Sequence, residues 1–236
     1  MPTIPNTALD VFPLCLGGNV FGWNVDEAGS FAVLDTYAAS GGNFVDTADA
    51  YSMWIEGNTG GESETIIGKW MAARGNRDRI VVATKVAKLE GRRGLSAANI
   101  RAACEDSLRR LGTDRIDLYY AHEDDFAVPI EEALGAFDEL VREGKVRHVG
   151  ASNFDATRLD ESLEVSQAEG LTSYVALQPH YNLVHRAEYE GELADVCGEH
   201  GLSCVPYYAL ASGLLTGKYR QGRALPESAR AGDVAD

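Results

Sequence analysis

Leu14-Cys15-Leu16-Gly17-Gly18-Asn19 is an apolar run closed by two glycines, and its reading decides between two ways of folding a chain of alternating strands and helices. A dinucleotide-binding doubly wound domain places GxGxxG at the turn from its first strand directly into a helix. These glycines do not have that spacing, and the next helical pattern begins only at Asp26. The first turn therefore argues against a Rossmann domain.

Outward from this stretch, apolar runs start near Leu14, Asn43, Ile80, Ile116, Val146, Val175 and Ser203. They recur at roughly 30 residues, the length of a strand-helix-strand unit. Seven such βα units predict a parallel sheet. Ile80-Val81-Val82-Ala83 and Ile116-Asp117-Leu118-Tyr119-Tyr120-Ala121 are apolar on both faces, as strands covered by helices must be. Between the strands, Ser96 caps a helix with Ile100, Ala103, Cys104, Ser107, Leu108 and Leu111 on one stripe, ended by Gly112. Pro129 stands at a first helical position before Ile130, Leu134, Phe137 and Val141, and Asp26 opens a helix with Phe31, Leu34 and Ala38 inward. Two closures fit this pattern, an open doubly wound sheet and a (βα)8 barrel.

The chain has 236 residues, 45% of them hydrophobic, enough apolar side chains for a core and too many for a disordered chain. The expectation is a single domain over residues 1–236. After Val205 come Ser212-Gly213-Leu214-Leu215-Thr216-Gly217-Lys218 and a polar tail to Asp236, with no eighth strand, so the barrel is expected to be incomplete at its C-terminal end. A net charge of −15 argues against nucleic acid and anionic membrane as partners. No stretch reads as a signal sequence or a membrane span, and the expected location is cytoplasmic. Cys15, Cys104, Cys197 and Cys204 form no metal-binding spacing, so no metal site is expected, and three of them sit inside apolar strand or helix patterns where a free cysteine packs as a small core residue.

Chemistry in βα sheets gathers where strands end. The second run ends in Asp46 with Tyr51 in the loop after it, the third in Lys85 and the fourth in His122. The fifth ends in Ser152-Asn153, the sixth in Gln178 and the seventh in Tyr207. Each alone suits a solvated terminus or a satisfied core residue. On one rim, however, Asp46, Tyr51, Lys85 and His122 make a titratable cluster of the kind active sites use. An ammonium at Lys85 is expected to lower the pKa of Tyr51 and ease proton donation to a carbonyl oxygen, with Asp46 orienting Lys85 and His122 orienting the carbonyl or sharing the proton transfer. Reduction also needs a hydride, which no side chain supplies, so a nicotinamide is implied. Ser152, Asn153 and Gln178 offer groups for its carboxamide, Tyr207 a ring to stack on it, and the loop through Leu210, Ser212, Gly213, Leu214 and Lys218 a rest for the pyrophosphate.

The stretches Gly41 to Tyr51, Thr84-Lys85, Asp117 to His122, Gly150 to Phe154, Leu177 to Leu183 and Gly213 to Lys218 together strongly resemble the aldo-keto reductase family, in the family's order and over essentially the whole chain. The resemblance implies a (βα)8 barrel that binds NADPH or NADH without a Rossmann domain. It implies Asp46, Tyr51, Lys85 and His122 as the catalytic tetrad, Tyr51 as proton donor, and Ser152, Asn153, Gln178 and Tyr207 as nicotinamide contacts. Trp23 and Trp54 are implied as walls of the pocket for a small carbonyl substrate. Two departures stand out: Tyr208-Ala209 replaces the Ser-Pro that many members carry after the stacking tyrosine, and the family's adenosine contacts follow an eighth strand absent from these residues. The expected activity is nicotinamide-dependent carbonyl reduction. The alternatives are a Schiff-base aldolase using Lys85 and a non-catalytic, nicotinamide-sensing regulatory protein. The sequence does not give an oligomeric state.

Overall fold

Thirteen regular elements alternate along the chain in the computed structural model, which describes residues 1–220, 222, 226 and 227. The strands are β1 (Leu16–Gly17), β2 (Phe44–Asp46), β3 (Val81–Val86), β4 (Ile116–Ala121), β5 (Val146–Ser152), β6 (Tyr174–Gln178) and β7 (Ser203–Cys204). The helices are α1 (Glu27–Ala39), α2 (Glu62–Arg74), α3 (Ala97–Leu111), α4 (Ile130–Arg142), α5 (Ala156–Glu169) and α6 (Glu192–Glu199). All seven strands pair in parallel in sequence order, each with the next. That order, with a helix between each pair, is the pattern of a (βα)8 barrel and not of a doubly wound sheet, whose strand order reverses. Among the described residues the seventh strand leads into a 3₁₀ turn, Ala211–Thr216, where the sequence pattern predicts a seventh full βα unit. The polar tail predicted after it falls mostly outside the described residues.

The helix signals act locally. Asp26, Ser96 and Asp155 accept hydrogen bonds from the first-turn N–H groups of α1, α3 and α5, and Gly112 closes α3 in the left-handed conformation. The stripe predicted for α3 is the buried one, residue for residue. In α1 the buried face is Ser30, Leu34 and Tyr37, so Phe31 and Ala38 lie at its edge. The reason is the Tyr37 hydroxyl, which donates to the carbonyls of Leu14 and Phe44 and turns this face toward β1 and β2. Pro129 sits one place before α4, at its N-cap.

Two cores lie on opposite sides of the sheet. Val45, Val82, Val86, Tyr119, Ala121, Val149 and Ala151 face the helices, while Phe44, Val81, Ala83, Leu118, Tyr120 and Ala176 face the interior of the curled sheet. An N-terminal hairpin, bridged at Thr3 and Asp10, inserts Ile4, Leu9 and Val11 into that interior. The alternation of side chains along a strand then sets which residues face inward at the strand ends. Counting by twos from the inner residues, Phe44 leads to Asp46, Ala83 to Lys85, Tyr120 to His122, Gly150 to Ser152, and Ala176 to Gln178. The interior is apolar at one end and polar at the C-terminal rim.

Candidate active site

Gly18, at the end of the stretch that opens the chain, marks the floor of this rim. Its N–H donates to the Asp46 carbonyl at 2.7 Å, and a Cβ on it would lie 2.9 Å from Ser63 Oγ and 3.0 Å from that same carbonyl oxygen. Only glycine allows this approach. The chain then leaves β2 as extended backbone, with Thr47 N–H and Asp49 N–H donating to the carbonyls of Ala83 and Lys85. This pairing carries the loop along β3 until Tyr51 turns back over Lys85.

Lys85 is fully buried, and its ammonium donates to Asp46 Oδ2 at 2.6 Å, to the Thr47 carbonyl at 2.7 Å and to the Tyr51 hydroxyl at 2.8 Å. The Tyr51 hydroxyl donates in turn to the same Asp46 oxygen at 3.3 Å. Asp46 Oδ1 accepts from the Gln178 side-chain amide at 3.0 Å, so both carboxylate oxygens are engaged. Burying an ion pair costs less when each charge is also hydrogen-bonded in this way. The Thr47 carbonyl and the Gln178–Asp46 bond are the two contributions that reading strand ends missed. Neither has a sequence signal, because a backbone carbonyl carries none and Gln178 lies 132 positions from Asp46.

Burial, and next the Asp46 carboxylate, hold the Tyr51 phenol well above its ordinary range. The expected lowering by Lys85 is thereby corrected. The ammonium lies against Asp46, which offsets its pull on a phenolate. His122 stacks edge-on to Tyr51 with ring centroids 5.9 Å apart. Burial and then the Lys85 and Lys88 ammoniums push its pKa well below the usual histidine range, so the ring is neutral. Its buried Nδ1 has no partner among the described residues.

The second group of predicted residues adjoins the first. Asn153 donates to the His122 carbonyl at 2.7 Å and to Ser152 Oγ at 3.1 Å, and Ser152 donates to the Gln178 carbonyl at 2.9 Å. The Tyr207 hydroxyl donates to Asn153 Oδ1 at 2.9 Å. Asn153 holds φ +56°, a conformation asparagine tolerates better than most residues. These hydrogen bonds tie Ser152, Asn153, Gln178 and Tyr207 to one another and to the His122 backbone. Trp23 and Trp54 meet edge to face at 5.7 Å, and Trp54 lies 6.4 Å from Tyr51.

Leu210, Ser212, Gly213 and Leu214 lie on the turn after β7 and make no described hydrogen bond to Asp46, Tyr51, Lys85 or His122. Gly213 has φ +103°, and a Cβ there would sit 3.1 Å from Lys218 Nζ, so the ammonium folds back onto the glycine. Cys15, Cys104, Cys197 and Cys204 are free thiols, and no group of three His, Cys, Asp or Glu side chains among the described residues is placed to hold a metal. No helix among the described residues is long and apolar enough to cross a membrane.

A parallel βα barrel with a buried Asp-Tyr-Lys cluster and a neutral histidine on its C-terminal rim defines one class of protein. The chain belongs to the aldo/keto reductase family, whose model matches residues 13–234. It is 35% identical to norsolorinic acid reductase A of Aspergillus parasiticus over 89% of this chain and 56% of that protein. It is 34% identical to Protein tas of Escherichia coli over 96% of this chain and 72% of that one. Identity to an aryl-alcohol dehydrogenase [NADP(+)] of Phanerodontia chrysosporium is 33%, over 89% of this chain and 58% of the relative. The chain thus spans between about half and three quarters of the length of these relatives.

Proposed function

We propose that the protein is an oxidoreductase that reduces an aldehyde or ketone with a nicotinamide cofactor, NADPH by preference, and that Tyr51 is the proton donor. The observation that carries this reading is the convergence of Tyr51 and Lys85 on one carboxylate oxygen of Asp46 beside a neutral His122. The hydride would come from the reduced nicotinamide, since no side chain carries one. Residues of the rim fit that group. Tyr207 offers a flat ring, Gln178 Oε1 an acceptor for a carboxamide N–H, with Ser152 and Asn153 beside it. The turn through Leu210, Ser212, Gly213, Leu214 and Lys218 offers backbone N–H groups and an ammonium for a pyrophosphate.

His122 Nε2 donates a hydrogen bond to the substrate oxygen and orients the carbonyl. As negative charge builds on that oxygen, Tyr51 Oη gives up its proton to it, and Lys85 stabilises the phenolate left behind. The raised pKa of Tyr51 keeps the phenol protonated until the acceptor oxygen is basic enough to take the proton. Lys85 donates three hydrogen bonds, its full complement, which works against its use as a Schiff-base nucleophile.

Trp23 and Trp54 supply an apolar wall beside Tyr51 and favour an aromatic carbonyl. The name of one relative, an NADP(+) aryl-alcohol dehydrogenase, points the same way. The test uses NADPH carrying deuterium at C4 and a panel of aromatic aldehydes, ketones and quinones. Label transferred to the carbonyl carbon is expected; no oxidation of NADPH or NADH by any member of the panel overturns the assignment.

A further inference from the structure

Behind Tyr207 stands a column of rings that the chemistry above does not use. Tyr207 stacks on His180 with centroids 5.2 Å apart and planes 16° from parallel, and His180 stacks on His185 at 3.8 Å and 13°. The column is built into the backbone. Tyr207 N–H donates to the Pro179 carbonyl at 3.0 Å, and His180 and Tyr207 form a parallel bridge beyond the ends of β6 and β7. Asn182 holds the other end: its side-chain carbonyl accepts from the N–H groups of Val184 and His185, while its amide lies 3.4 Å from His180 Nε2. Tyr207 is fixed in three ways, by its hydroxyl on Asn153, its N–H on Pro179 and its ring on His180.

We infer that His180 is a positioning residue for the cofactor-stacking face of Tyr207, and that its protonation turns the site against the oxidised, cationic nicotinamide while leaving the reduced, neutral form bound. The inference rests on the nicotinamide reading of the site. Its physical basis is that the two redox forms differ by one positive charge on the ring that would lie on Tyr207, and an imidazolium on the far side of that tyrosine repels only the cationic one.

The groups facing His180 set when it charges. His185 and Glu188 come from its own loop, Tyr207 and Tyr208 from the segment after β7, and Asp155 and Glu192 line the same cleft. Burial and the adjoining His185 lower the pKa of His180, and Glu188 partly offsets them. His180 is therefore neutral at pH 7 and above and charges only below the ordinary histidine range.

The experiment measures dissociation constants for NADPH and NADP+ on the whole chain by quenching of tryptophan fluorescence, from pH 8 to pH 5, and follows their ratio. Titration of the cofactor's own phosphates is common to both forms and cancels in the ratio. In the wild type, NADP+ is expected to weaken relative to NADPH by threefold or more on going to pH 5. His180→Phe, which keeps a ring in the column but cannot charge, is expected to hold the ratio constant from pH 8 to pH 5. His185→Phe removes the neighbouring imidazole that lowers the pKa of His180 and is expected to move the transition to higher pH. A ratio that stays flat in the wild type, or that moves as much in His180→Phe, overturns the inference about His180 alone. Failure of the wild type to bind either form at any pH overturns the reading of the site, and this inference with it.

Discussion

The rim of the sheet is divided into two stretches built on opposite principles. From β2 to β4 it is ionic and buried: Asp46, Lys85 and His122 are at most 9% exposed, and Tyr51 closes over them. From β5 to the segment after β7 it is neutral, and Ser152, Asn153, Gln178 and Tyr207 are tied to one another by hydrogen bonds between uncharged groups. Gln178 joins the halves through Asp46. A site that moves a proton needs groups whose charge is stabilised in advance, in a place water does not reach. A site that holds a flat, amide-bearing ring needs shape and neutral hydrogen bonds. The difference teaches that one rim can serve both needs if the charges are confined to adjacent strands.

The largest effect is expected at Lys85. Lys85→Met leaves the Asp46 charge buried without its partner, and breaking such a pair costs about 3–5 kcal/mol of stability. Urea unfolding should show that loss together with the disappearance of carbonyl reduction; a variant as stable as wild type would mean that the pair contributes little to the fold. At Tyr51, by contrast, the change should be confined to chemistry. Tyr51→Phe is expected to lower kcat about 10²- to 10⁴-fold, with cofactor affinity and unfolding midpoint nearly unchanged, as stopped-flow and binding measurements would reveal.

A third prediction concerns Asp49, which lies between Asp46 and Tyr51 in sequence and is acted on by Glu64 and Arg110 more strongly than by Lys85. It is 1% exposed, neither carboxyl oxygen has a described partner, and burial and then Glu64 push its pKa from 3.8 to about 7. The folded protein thus binds a proton at Asp49 that the unfolded chain releases near pH 4. Its contribution to stability is complete below the unfolded pKa and is lost as pH rises to about 7. The loss is on the order of 4 kcal/mol, and Asp49→Asn should flatten that slope in thermal unfolding followed from pH 4 to pH 8. An unchanged slope would place the buried proton elsewhere. The mildest test falls on the link between the two halves. Gln178→Met removes the neutral donor to Asp46 and should cost about 1–3 kcal/mol, with KM for the cofactor rising more than kcat falls. Equal losses in both would assign Gln178 to the ionic half.

Much of the molecule is legible from one strand or helix at a time. The caps at Asp26, Ser96 and Asp155 are short-range signals, and each starts its helix because the side chain reaches an N–H three positions on. The positions of Asp46, Lys85, His122 and Gln178 at the ends of apolar runs are equally plain. The rotation of α1 is not, since it depends on Tyr37 reaching carbonyls of β1 and β2. The N-terminal hairpin carries no such signal either, because Ile4, Leu9 and Val11 form no regular period, and their burial comes from the interior they fill.

Sequence alone determined the order of elements, the inward parity of the catalytic candidates and their place on the rim, because capping and the two-residue period of a strand act over a few positions. Tertiary structure decided how those groups affect one another. The direction of the Tyr51 shift, the orphaned Asp49 and the ring column behind Tyr207 all depend on distance, burial and orientation between segments far apart in the chain. Electrostatic and stacking energies are set by those three quantities, and no local pattern of residues encodes them.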